Sequence, residues 1–205
     1  MDVVVGSLVE YAVEGFTLPS ESVSGDSYAI VNTDKGVIAA VIDGLGHGPE
    51  AAAAAAAAVE SITRVAPESA SLESLMAQCH HDLTDTRGAA IVIAEFERAG
   101  HLLNTLCVGE VQGCLFSLNS QDPRKAQQQL LLCPGLVGKA LPVLQTLSFR
   151  VQRGDVLVLT TDGIATAIFE SRPANEPIED VAQKIMSDHC RQNDDALVLA
   201  MRYLG

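Results

Sequence analysis

Residues 36–60 read GVIAAVIDGLGHGPEAAAAAAAAVE, and three local rules follow one another within them. Val37 to Ile42 is unbroken apolar sequence, the pattern of a strand buried on both faces. Asp43 ends it. Gly44, Gly46 and Gly48 then permit positive φ and close backbone approach. Pro49 suits the first turn of a helix, and Glu50 suits the positive end of its dipole. The eight alanines that follow are strong helix formers with almost no side-chain volume. The stretch therefore predicts a buried strand, a glycine-rich loop and a helix over 49–65 that can lie close to a sheet. Taken alone, it also fits a plain strand-loop-helix connection in which Asp43 merely serves the turn.

Working outward, residues 26–32 and 36–43 read as a hairpin turning at Thr33-Asp34-Lys35-Gly36. A strand is expected over 3–13, and a second helix over 71–84. Strands are expected over 89–97, 101–108, 111–118, 129–133, 146–151 and 155–161. A helical segment should begin after Asp162-Gly163. A better helix runs over 176–190, with Ile178, Val181, Ala182 and Ile185 on one face. The last strand is expected over 196–204, and the polar loop over 120–128 should be exposed. Mostly antiparallel strands with two central helices and one late helix fit sheets that carry helices on their outer faces. No linker or repeat divides residues 1–205, so one domain is expected.

The Asp-Gly grammar recurs. VLVLTTDG (156–163) is again an apolar strand ending in Asp162-Gly163. GDSYAIV (25–31) begins a strand with Asp26, and NDDALVLAM (193–201) begins the last one with Asp194-Asp195. Neighbouring antiparallel strands can bring such ends together. Clustered carboxylates repel one another and call for cations, and hard divalent ions suit oxygen ligands. Spacing allows this convergence without requiring it.

The 205 residues carry a net charge of −13, which argues against nucleic acid and anionic membrane surfaces as partners. Hydrophobic residues make up 48 %, enough for a sizeable core. Five scattered cysteines form no CxxC pair and point to free thiols in a reducing cytoplasm. The N-terminal segment lacks the basic and apolar regions of a signal peptide.

The ordered series GDSYAI, VIDGLGHG, TRGAAIVI, LCVGEVQGCLF, LVLTTDGI and NDDALVLAM resembles the PPM-type metal-dependent serine/threonine phosphatases. Within them it is most similar to the short bacterial branch of RsbX, RsbU and SpoIIE, and to the RsbX type in having no added sensor domain. The resemblance covers about residues 20–203. It implies an α+β fold, an αββα sandwich of two mainly antiparallel sheets flanked by helices. It implies hydrolysis of phosphoserine and phosphothreonine in proteins by water activated at two Mn²⁺ or Mg²⁺ ions. Asp43 corresponds to the bridging ligand, Gly44 to a backbone-carbonyl ligand, and Asp26, Asp162 and Asp194 to further metal ligands. Asp43 and Asp162 would thus be catalytic. For an RsbX type, the implied partners are phosphorylated stressosome scaffold and sensor proteins, and the implied role is resetting stress signalling.

Two stretches depart from the family pattern. DDAL has Leu197 where Thr is often found. VGEVQ (108–112) has Glu110 and Gln112 where VGN/D-x-R is common, so an arginine expected to support phosphate or acidic ligands is missing. These departures keep open a rival reading, a phosphatase-like module that docks to a signalling partner with little turnover. A small-molecule phosphohydrolase is a third.

Other residues are better explained without chemistry. His47 is expected to be an exposed loop histidine. His80 and His81 are adjacent on a helix and point about 100° apart, so they cannot easily share one ion. Asp155 should organise a turn, and Gly88 should be required by strand entry. Cys107 and Cys114 lie in apolar strands and read as core.

Overall fold

The two parities of the strand at 37–42 go to two different cores. Val37, Ala39 and Val41 pack into a cluster between two sheets, while Ile38, Ala40 and Ile42 pack beneath helices. All six side chains are buried. The computed structural model describes residues 8–117, 126–166, 173 and 176–205. Residues 3–7 of the first expected strand, 120–125 of the expected polar loop, and 167–172, 174 and 175 after Asp162-Gly163 lie outside the described residues.

One five-stranded sheet contains β2 (Asp26–Asn32), β3 (Gly36–Gly44), β4 (Ala89–Glu97), β5 (Leu102–Val108) and β8 (Leu147–Arg150), adjacent in that order. The other has the order β1 (Val9–Phe16), β10 (Ala196–Tyr203), β9 (Val156–Thr160), β6 (Gln112–Phe116) and β7 (Gln127–Gln129). Every ladder is antiparallel. The inner faces share one apolar core, in which Val92 and Phe96 of the first sheet meet Leu157, Leu199 and Tyr203 of the second. The Phe96 and Tyr203 rings stack with centroids 5.7 Å apart.

Helices α1 (Pro49–Val65) and α2 (Leu72–Asp82) cover the outer face of the first sheet, and α3 (Ile178–His189) covers the second. The chain is thus an αββα sandwich. The α1 face that meets β2 and β3 is Ala51, Ala54, Ala55, Ala58 and Ile62, at helical spacing. Small side chains let the helix sit almost on the strand: a Cβ added to Gly44 would lie 2.2 Å from the Ala51 carbonyl oxygen. Gly48 precedes Pro49 with φ 76°, a left-handed conformation that glycine adopts without steric cost. The α2 start is fixed by a reciprocal cap between Ser71 and Ser74. On α3, Ile178, Val181 and Ala182 are buried and Ile185 packs beside them.

One strand is displaced from its expected place. The ladder partner of β6 is Gln127–Gln129, not 129–133. Leu130 is still buried and bonds Gly113, but Leu131 and Leu132 are half exposed as the chain leaves the sheet.

Candidate metal centre

Asp43 is the partner of Asp26 on the β2–β3 ladder, at the end away from the hairpin turn. Its parity is that of Val37, Ala39 and Val41, so its carboxyl belongs to the inter-sheet face where β3 runs out. Across the gap, the β9–β10 register sets Thr160 against Val198 and brings Asp162 and Asp194 to the same end of the second sheet. Asp43, Asp162 and Asp194 line one cleft of about 420 Å³, together with Gly46, Gly109 and Glu110. The four strand-end aspartates of the sequence therefore gather at one end of the sandwich. Among the described residues, no three His, Cys, Asp or Glu side chains are closed tightly enough to enclose a single ion.

Two hydrogen-bond relays tie the sheets together here. The Leu197 N–H donates to Thr161 Oγ1 at 2.8 Å, and the Thr161 hydroxyl donates to Asp26 Oδ2 at 2.7 Å. Asp195 is buried and accepts from the backbone N–H of Gly25 at 2.7 Å and of Leu18 at 2.8 Å. Both of its oxygens are thereby committed to holding the 18–25 loop against the second sheet. Among the described residues, Asp194 bonds only the adjacent backbone, accepting from the Asp195 N–H. The paired aspartates thus divide the work, one pinning a loop and one facing the cleft. Sequence reasoning missed Thr161 and the pinning role of Asp195. A Thr directly before Asp162 and a doubled Asp were the available signals.

The electrostatics match a site short of positive charge. Burial first, then the charges of Asp26, Asp162, Asp194 and Asp195, push the Asp43 carboxyl from 3.8 up to about 8. Burial also pushes Asp26 up to about 7, against the opposing Thr161 hydrogen bond. Asp162 is raised by burial and by Asp194 and Glu110, and lowered by Arg191.

The other candidate side chains have partners of their own, and Arg87 also lies beside the cleft-lining Gly46. His47 is exposed and contacts Glu21, and Arg87 pairs with Glu50 at the start of α1. His80 Nδ1 accepts from Gly138 N–H, while His81 is exposed. Gly88 has φ 87°, and a Cβ there would meet the Val137 carbonyl oxygen at 2.7 Å. Asp155 accepts from the Gln152 N–H in its turn. Cys107 and Cys114 are buried, each thiol pushed up to about 12, and all five cysteines are free. Among the described residues, no helix is long and apolar enough to cross a membrane.

The family model for Stage II sporulation protein E (SpoIIE) matches residues 33–204, and the chain belongs to this family. It is 24 % identical over 176 residues to the phosphoserine phosphatase RsbX of Bacillus subtilis (strain 168), covering 85 % of each chain. The solved structure of RsbX in complex with magnesium superposes with a TM-score of 0.82 at 23 % identity, covering 95 % of each chain. A chain from the work “The bacterial stressosome: a modular system that has been adapted to control secondary messenger signaling” gives a TM-score of 0.82 at 26 % identity. That match covers 95 % of this chain and 99 % of the other.

Proposed function

We propose that this SpoIIE-family chain is a metal-dependent phosphatase of phosphoserine and phosphothreonine in proteins, acting in stress signalling. The observation that carries the reading is the meeting of Asp26 and Asp43 on one ladder rung beside a cleft that Asp162 and Asp194 also line. The donor set fits Mn²⁺ or Mg²⁺: hard oxygens, no thiolate and no imidazole, at carboxyls that burial and mutual repulsion hold above their ordinary range. Asp43 would be shared between two ions, Asp26 and the Gly44 carbonyl would serve one of them, and Asp162 and Asp194 the other. When bound, such ions supply a water activated at neutral pH and neutralise phosphoryl charge.

The chain's own residues set the geometry. Asp43 is held rigidly because β3 is buried on both faces and Gly44 lies beneath the α1 backbone. Thr161 engages one oxygen of Asp26, Oδ2, through its hydroxyl. Asp195 keeps the 18–25 loop in place, and with it the start of β2. The cleft is open at its rim, so a phosphorylated side chain on a protein surface can enter it.

The substrates fitting this reading are phosphorylated stressosome scaffold and sensor proteins, met in the cytoplasm by a single catalytic domain. Its relatives support this: one is named a phosphoserine phosphatase, and another comes from work on the stressosome. The test is release of inorganic phosphate from phosphorylated stressosome proteins in Mn²⁺, in Mg²⁺ and in chelator. Release in either metal and none in chelator is expected. Tight binding of the phosphoprotein without release would favour the docking module instead. Fast turnover of simple phosphate esters alone would favour a small-molecule phosphohydrolase.

A further inference from the structure

A second cavity of about 450 Å³ adjoins the carboxylate cleft and shares Gly109, Glu110, Gly135 and Asp162 with it. Gln112 lines its wall, at the position where an arginine is common in the family pattern. Arg191 lines it too and is the one cation among the described residues lining either cavity, while Arg87, which lies beside cleft-lining Gly46, is paired with Glu50. Gln112 has the parity of Cys114 and Phe116, the face of the second sheet that α3 covers. Arg191 lies two residues past the end of α3, after the cap Cys190, and α3 covers that face.

The backbone fixes this placement. Cys190 bridges to Ile164, and the Arg191 N–H donates to the Gly163 carbonyl at 2.9 Å, one residue past Asp162. Arg64, Arg87 and Arg202 each pair with a carboxylate. Arg191 is exposed and has no carboxylate within ion-pair distance among the described residues. A phosphomonoester in the carboxylate cleft meets Asp43, Glu110, Asp162 and Asp194, and in the adjoining cavity it meets Glu110, Asp162 and Arg191. A guanidinium presents a planar fork of donors that matches phosphoryl oxygens.

We propose that Arg191 binds the phosphoryl oxygens of the substrate, supplying from the end of α3 the positive charge that Gln112 lacks. The inference rests on the phosphatase reading above and assigns a substrate contact within it. Loss of a charge-assisted contact weakens binding by about tenfold or more.

The experiment measures kcat and KM on a phosphoserine peptide, and competitive inhibition by inorganic phosphate. The proteins are wild type, Arg191→Gln, Arg191→Lys, the double variant Arg191→Gln/Gln112→Arg, and Lys35→Gln. The last removes an equal charge from the turn at the far end of the β2–β3 hairpin. Arg191→Gln should raise KM and the phosphate inhibition constant together, about tenfold. Arg191→Lys should fall between, Gln112→Arg should recover part of the loss, and Lys35→Gln should match wild type. An active Arg191→Gln protein with both constants within about twofold of wild type, against the contact energy expected, would overturn the inference alone. A fall in kcat with both constants unchanged would assign Arg191 a positioning role and overturn it equally. Absence of turnover in wild-type protein would overturn the phosphatase reading and this inference with it.

Discussion

Asp43 and Asp26 face each other across one rung of the β2–β3 ladder, and their carboxyls take up protons far more readily than free ones. The consequence for stability has a definite sign. Both carboxyls lie above 3.8 in the fold, so the metal-free native state binds more protons than the unfolded chain between about pH 4 and pH 8. Their contribution is full below that window and is lost as pH rises through it. Melting in chelator should therefore shift to lower temperature from pH 5 to pH 8, and Asp43→Asn should flatten the slope. In turnover, Asp43→Asn and Asp162→Asn should each abolish phosphate release while circular dichroism stays that of the wild type. Retained activity of both variants with metal supplied would remove them from the site. Asp195→Ala should act differently, since its oxygens hold two backbone N–H groups. A stability loss of about 2 kcal/mol or more in denaturant unfolding is expected.

The β3–α1 unit was legible because each part obeys its own local rule and the rules agree. Unbroken apolar residues gave the strand, Pro49 and Glu50 the helix start, and small residues the close packing. The packing is testable. Gly44→Ala would place a Cβ against the Ala51 carbonyl and push α1 off the sheet, lowering stability by about 1–3 kcal/mol. An unchanged melting temperature would mean that α1 is not tightly seated. The strand expected over 129–133 shows where element reading fails. LLLC looks like a strand interior, but Leu131 and Leu132 are half exposed, and Leu132 forms part of a cavity wall. Apolarity there belongs to an exposed cavity wall rather than a strand interior, and periodicity cannot separate the two uses. Thr161 and Asp195 were hidden for a related reason. Their partners lie 135 and 170 residues away, a distance that only the closed sandwich spans.

At the scale of the molecule, two sheets placed face to face bring the ends of β2, β3, β9 and β10 to one edge. The sequence displays the four aspartates, but their meeting there is a property of topology. Five free cysteines, three of them buried and two half-buried, predict that dithiothreitol leaves turnover unchanged, and loss of activity on reduction would contradict that. The central claim is that Asp26, Asp43, Asp162 and Asp194 form one divalent-cation centre. Ions held by the assembled site and not by the unfolded chain add about 2.7 kcal/mol of stability at a hundredfold excess over the dissociation constant. The most direct measurement is thermal unfolding of wild type and Asp43→Asn at pH 7.5 in saturating Mn²⁺ and in chelator. The account predicts a clear rise in melting temperature with Mn²⁺ for wild type and loss of most of it in Asp43→Asn. Identical melting of the wild type with and without Mn²⁺ would contradict it.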